Sequence, residues 1–163
     1  MAKTIVCITN NQADFRSWLN SFLGKEVDLA KKKSGAPYIV GDNHKLSISH
    51  KDNRLVAAIS LESVGVDIEK IDQRKSVFKI ADKYFGEKIE KGDFEGFYRA
   101  WTKKEALCKM YEKGLTKGFL ALNLNEETYI DKNNQEVHFN SFYFDEYIVT
   151  TAEMSGDVEF ILV

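Results

Sequence analysis

The sequence predicts an α+β protein built from two similar halves, each a small antiparallel sheet packed on helices. Three observations carry this. The chain opens with a β-branched strand followed by an amphipathic helix. A single long helical pattern then occupies the middle, and mostly strand-like sequence follows it. Lastly, Leu46–Ser49, turn, Leu55–Ile59 resembles Tyr147–Ala152, turn, Val158–Val163, as if each half ended in a hairpin. Hairpins are common, so this last likeness stands equally well as coincidence. The halves are expected to span residues 1–62 and 63–163, meeting near 60–64 in one compact unit.

Residues 4–8 (Thr-Ile-Val-Cys-Ile) read as the first strand. From Gln12 to Leu23 the residues Phe15, Trp18, Leu19, Phe22 and Leu23 recur at helical spacing, and Gly24 stops the pattern. A polar stretch leads to the only proline, Pro37. Leu46 to Ser49 alternates and Leu55 to Ile59 is continuously apolar, with Lys51-Asp52-Asn53-Arg54 as the turn between them. Val64 to Ile68 is a third strand. Gln73 to Tyr84 is helical, with Val77, Ile80, Ala81 and Tyr84 on one face. The clearest helix runs from about Phe94 to Tyr111, with Asp93 as its N-cap. Beyond Gly114, strands are expected at Phe119–Leu124, Glu136–Phe144, Tyr147–Ala152 and Val158–Val163.

The 163 residues are 44% hydrophobic and 29% charged, as in an ordinary globular domain with an aromatic-rich core. The net charge of -2 argues against general nucleic-acid binding, which wants a basic surface. No apolar stretch approaches the roughly 20 residues of a membrane span, and no signal peptide is visible. Cys7 and Cys108 lie in apolar or helical contexts, as buried thiols of a reducing compartment. A cytoplasmic protein without membrane or nucleic-acid partners is expected.

Gly65-Val66-Asp67-Ile68-Glu69 carries the first chemical signal. Residues two apart on a strand share a face, so Asp67 and Glu69 point together with Ile68 buried opposite. Two carboxylates 4 Å apart repel by roughly 4 kcal/mol at an effective dielectric of 20, a cost that a hard cation such as Mg²⁺ removes. Taken alone, the tripeptide fits a solvated strand end, with Glu69 paired to Lys70, better than a metal site. The long helix shifts the balance. Trp101, Glu105 and Lys109 fall on one face at i, i+4 and i+8. Glu105 there offers a third carboxylate, and Lys109 a cation for phosphate. The plain alternative is a helical Glu–Lys pair worth a few tenths of a kcal/mol. Ser49-His50 supplies two hydrogen-bond donors at a strand end. Ser49 as a nucleophile activated by its neighbour is disfavoured, because adjacent residues rarely meet that geometry.

At these residues the sequence resembles the 4'-phosphopantetheinyl transferases, especially the surfactin-type class. Gly35-Ala36-Pro37-Tyr38 is similar to the family's Gly-Lys-Pro-Tyr, and Ser47-Ile48-Ser49-His50 to its Asn-x-Ser-His. Val64 to Glu69 is similar to its metal motif. Phe97 to Lys109 is similar to its third motif, and Glu112-Lys113-Gly114-Leu115 to its Gly-Lys-Gly-Leu tail. The elements occur in the family's order over residues 35–115.

The resemblance implies the family's pseudo-duplicated fold, with the coenzyme site at the junction of the halves, and a monomer. It implies transfer of the phosphopantetheine arm of coenzyme A to a serine of an apo acyl or peptidyl carrier protein, releasing adenosine 3',5'-bisphosphate. Asp67, Glu69 and Glu105 would hold Mg²⁺ on the pyrophosphate, and Glu105 and Lys109 would be catalytic. Gly35, Pro37, Ser49, His50, Lys109 and Lys113 would bind coenzyme A. Two departures stand out. Ala36 occupies the place of the family's lysine, and the region before Gly35 is short, leaving Arg16, Lys31, Lys32 and Lys33 as substitutes for the 3'-phosphate. The other readings are a non-catalytic binder of coenzyme A or carrier protein and a metal-dependent nuclease. The complete set of carboxylates and lysine opposes the first, and net acidity the second. Tyr84–Gly92, with Phe85, Lys88 and Lys91, is the expected carrier-docking surface.

Overall fold

The structure is a computed structural model and describes residues 3–163. Strand β1 (Thr4–Thr9) leads into helix α1 (Gln12–Leu23). Asn11 caps α1 by accepting the Asp14 N–H at 2.8 Å. Gly24 ends the helix in the left-handed conformation, φ 67°, which its missing Cβ makes cheap. Short strands β2 (Leu29–Lys31) and β3 (Pro37–Ile39) precede a hairpin of β4 (Lys45–Lys51) and β5 (Arg54–Ser60). Next come β6 (Val64–Lys70), α2 (Val77–Tyr84), α3 (Phe94–Met110) and the single turn α4 (Lys117–Leu120). The last strands are β7 (Thr128–Ile130), β8 (Glu136–Phe144), β9 (Tyr147–Glu153) and β10 (Val158–Leu162).

The strands form two sheets, ordered β10-β1-β5-β4-β3-β2 and β6-β9-β8-β7. The order β1-β5-β4-β3 has the same form as β6-β9-β8-β7: an opening strand, the second and first arms of a hairpin, then a short strand. The period-2 pattern explains the layering. On β1, Ile5 and Cys7 face α1 through Phe15 and Leu19. Val6 and Ile8 face the second sheet through Val64, Val66, Ile68 and Val149. The far side of that sheet is covered by α3, with Ala106 and Leu107 against Phe139 and Ala152. Strand β9 is buried along its whole length because it lies under this double cover.

Three expectations need correction. The predicted helix from Gln73 begins only at Val77, and Phe78 is buried where Ile80 was expected. Residues 119–124 form no strand; α4 and a loop occupy them, because backbone there caps buried side chains of α3. The hairpin predicted at Tyr147–Val163 does not form. Strand β9 pairs with β8, and β10 runs parallel to β1, with Thr4 opposite Val158 and Ile8 opposite Leu162. The cause lies in the turn. The buried Glu153 carboxylate accepts from Ser155 N (2.6 Å), Ser155 Oγ (2.7 Å), Gly156 N (2.9 Å) and Asn140 Nδ2 (3.1 Å). This cage turns the chain out of the second sheet, and Val158 and Phe160 then pack between the two sheets.

Candidate active site

Alternation on β6 sends Val64, Val66 and Ile68 between the sheets, as expected for Ile68, and leaves Gly65, Asp67 and Glu69 facing α3. Helix α3 approaches closest at Gly65. A Cβ there would lie 1.8 Å from the Ala106 carbonyl oxygen and 2.6 Å from the Met110 nitrogen. The glycine thus lets helix backbone rest on strand backbone. Asp93 fixes the start of the helix by accepting the Gly96 N–H at 2.9 Å. Glu105 and Lys109, one turn apart, are carried to the Asp67 side of that contact.

Asp67 is the centre of the site and only 5% exposed. Its Oδ1 accepts from Ser49 Oγ at 3.0 Å and from Lys109 Nζ at 3.1 Å. Its Oδ2 is buried and has no partner, a costly arrangement for a carboxylate. Burial pushes the carboxyl up to about 6; Lys109 opposes the shift, and the charges of Glu69 and Glu105 add to it. Burial also raises Glu105, with Lys109 again opposing and Glu69 adding. Glu69 is turned aside, to a 2.8 Å ion pair with Lys51. Strand β4 also seals the free edge of β6, where Ser47 Oγ accepts the Val66 N–H at 3.1 Å.

The raised carboxyl has a consequence for stability. The folded chain holds the Asp67 proton over roughly pH 4–6 where the unfolded chain has released it, so stability falls as pH rises through that window. The shift corresponds to about 2–3 kcal/mol of destabilisation above pH 6 in the metal-free protein. Asp67→Asn should therefore raise the urea midpoint at pH 7.5 and lose this advantage near pH 4. An equal midpoint for both proteins at pH 7.5 would sink the assignment of Asp67 as the strained group.

A cleft of about 540 Å³ opens beside Lys109 where the two sheets meet. Gly35, Pro37, Lys109 and Lys113 line it, as do Ser63 and Val64 at the junction. Ser49, Asp67, Glu69 and Glu105 do not line it; Lys109, which donates to Asp67, does. His50, on the other face of β4, is exposed and does not line the cleft. Of the cations weighed in place of the lysine missing at Ala36, Lys32 lines the cleft, whereas Arg16, Lys31 and Lys33 do not. Phe85, expected on a docking surface, instead stacks on Phe97 at 5.3 Å and on Trp101 at 6.4 Å.

Two supporting lysines escaped the sequence reading. Lys103 and Lys104 are 2% and 0% exposed. Lys103 Nζ donates to the carbonyls of Leu124 (2.9 Å) and Glu126 (3.0 Å). Lys104 Nζ donates to the Leu122 carbonyl at 2.6 Å, lies 2.6 Å from Glu87 Oε1 and sits 4.7 Å from the Phe85 ring centre. Burial lowers the pKa of both. A signal was present: Phe97, Ala100, Trp101, Leu107 and Cys108, the helical neighbours of Lys104, are all apolar.

The carboxylates of Asp67, Glu69 and Glu105 are oxygen donors of the kind a hard divalent cation takes, and the unpartnered Asp67 Oδ2 is the kind of atom such an ion satisfies. Among the described residues, no group of three or more His, Cys, Asp or Glu side chains is drawn together as a finished cage. Glu69 has to leave Lys51 to join one. No helix among the described residues is long and apolar enough to cross a membrane.

A family model described as the 4'-phosphopantetheinyl transferase superfamily matches residues 63–153, more than half of the chain. A 4'-phosphopantetheinyl transferase of Aneurinibacillus migulanus is 33% identical over 114 residues, covering 65% of this chain and 44% of that protein. A 4'-phosphopantetheinyl transferase of Bacillus subtilis is 30% identical over 101 residues, covering 55% and 43%. The matched stretches thus amount to less than half of each relative's own length.

Proposed function

The chain belongs to the 4'-phosphopantetheinyl transferase superfamily, and from that membership we propose that it transfers the phosphopantetheine arm of coenzyme A to a serine hydroxyl of an apo acyl or peptidyl carrier protein, releasing adenosine 3',5'-bisphosphate. The single observation that carries this reading is the buried Asp67, hydrogen-bonded to Ser49 and to Lys109, one of the lysines that line the cleft. Such a cleft suits a long anionic donor, with its reacting phosphate beside Lys109.

Asp67, Glu69 and Glu105 would hold Mg²⁺, which when bound neutralises charge on the donor's pyrophosphate. The chain's own groups do the rest. Ser49 Oγ fixes Asp67 in one rotamer through its hydrogen bond. Lys109, half-buried and lining the cleft, is suited to bind a phosphate oxygen and to support charge on the leaving group. Glu105, whose carboxyl burial raises, is suited to take the proton from the incoming serine hydroxyl, directly or through water. Lys113 and the Gly35–Pro37 backbone extend the cleft toward the nucleotide end. The shared strand order of the two sheets supports reading the chain as two duplicated halves divided near residue 62, acting as a monomer in the cytoplasm. Lys88 and Lys91 on the exposed part of residues 84–92 would meet the carrier.

Incubation with Mg²⁺, labelled coenzyme A and a panel of apo carrier proteins tests the reading. Label should move to a carrier, and Asp67→Ala and Glu105→Ala should each cut the rate by at least about a hundredfold. Folded protein that binds coenzyme A yet labels no carrier in the panel would leave only a binding role.

A further inference from the structure

We propose that Glu112 is a built-in competitor in the cleft: its carboxylate holds Lys32 across the mouth and gives it up to an incoming phosphate. Only the identity of the ligand, coenzyme A, rests on the function proposed above.

Lys32 lies on the turn between β2 and β3, in the sheet of the first half. Glu112 lies just past the end of α3, in the second half. The Lys32 ammonium donates to Glu112 Oε1, and both residues line the cleft. Both side chains are about 40% exposed, so the pair can open without unfolding anything. The backbone on each side is already fixed. Lys32 N donates to the Ala36 carbonyl and Gly35 N to the Lys32 carbonyl, both at 2.9 Å. Across the cleft, Glu112 N donates to the Lys109 carbonyl at 3.0 Å and Lys113 N to the Cys108 carbonyl at 2.9 Å. Exchange of partners therefore needs only side-chain rotation.

The backbone at Glu112 is unusual for its residue type. It sits at φ 55°, the left-handed region where glycine is at ease and a glutamate is strained. Local conformation does not explain a glutamate here, whereas the contact of its carboxylate with Lys32 gives the side chain a task. The remaining charges fit the same account. Asp42, the other carboxylate lining the cleft, is already engaged by Lys25 at 2.9 Å and by His44. Glu112 has Lys32 as its one cationic partner among the described residues. With the cleft empty, Lys32 is masked. A ligand phosphate that reaches it displaces the carboxylate, and a ligand lacking that phosphate leaves the pair closed. The pair thus lowers affinity most for an anion that uses Lys32, and so narrows the preference for a ligand that carries the extra phosphate.

Calorimetric titration at low ionic strength tests this with coenzyme A, 3'-dephospho-coenzyme A and inorganic pyrophosphate, each against wild type, Glu112→Gln, Glu112→Gly, Lys32→Ala and the Glu112→Gln/Lys32→Ala pair. Thermal melts check that each variant is folded. Glu112→Gln keeps the strained backbone and removes the charge, so its effect reports competition rather than relief of strain. It should tighten coenzyme A by about fivefold, the upper range of an exposed ion pair, and tighten the dephospho form less. Glu112→Gly should do the same. Lys32→Ala should weaken coenzyme A and cancel the gain in the double variant. Unchanged affinity in Glu112→Gln, or a gain that survives Lys32→Ala, overturns the proposal. If wild type ignores coenzyme A but Glu112→Gln binds pyrophosphate more tightly, the competitor stands and the coenzyme A reading falls. If no anion binds more tightly to Glu112→Gln, the competitor falls.

Discussion

Lys104→Met is expected to destabilise the protein by about 3–5 kcal/mol, the cost of leaving a buried carboxylate without its counter-charge. Lys104 and Glu87 are wholly enclosed, and the Glu87 Oε2 atom is already committed to the Leu124 N–H at 2.9 Å. Without Lys104, Oε1 keeps a negative charge among Phe85, Leu122 and Leu124. Adding Glu87→Gln removes that charge and retains an acceptor for Leu124, so the double variant should recover most of the loss. Urea unfolding of the four proteins yields the coupling directly. A Lys104→Met protein within about 1 kcal/mol of wild type would mean that the pair holds nothing together. The pair matters for position as well, since it fastens both the Glu87 loop and the Leu122–Leu124 loop to the helix that carries Glu105 and Lys109.

Gly65→Ala is the second large effect. The added methyl meets the Ala106 carbonyl and the Met110 nitrogen of α3, at 1.8 and 2.6 Å. These are backbone atoms, so no rotamer change relieves the clash and the helix has to move by about an ångström. Overpacking of this kind costs about 1–3 kcal/mol. The same shift carries Glu105 and Lys109 away from Asp67, and a misplacement of about 1 Å is worth about a hundredfold in rate. Urea unfolding and the carrier-labelling assay should both register the change. Gly118→Ala is the control: its nearest contact would be Thr116 Oγ1 at an ordinary 3.6 Å, and the helix gains propensity. Gly65→Ala behaving like Gly118→Ala in both assays would show that α3 does not rest on β6 as described.

What the sequence made legible follows from what local patterns encode. Helix α1 has the bounds predicted for it, because the apolar spacing and Gly24 mark both ends. Strand β6 and helix α3 were readable for the same reason, and with them the approach of Lys109 to Asp67. Partnership between distant segments was not readable. The apolar residues of β10 announce a strand but not which strand it joins, so the parallel pairing with β1 came only from the structure. Charge misled in a different way. Lys103 and Lys104 look like a solvated pair on a helix, and their burial depends on carbonyls from a loop about twenty residues away in the sequence. His50 shows the converse limit: adjacency to Ser49 in a motif places it on the opposite face of a strand.

The pairing of β10 with β1 also sets the timing of assembly on the ribosome. Strand β1 is made about 150 residues before Val158–Leu162, so the edge it offers to β10 stays open until that segment has followed. Both arms of the β4–β5 hairpin and most of α1 can gather on β1 well before that, leaving the other row of backbone groups on β1 unpaired. Closing it is a non-local step, of the kind that slows folding. Strand β10 therefore acts as a late shield: a chain cut before Val158 keeps the edge of β1 open, and pairing with Val158–Leu162 passes the exposed edge to β10.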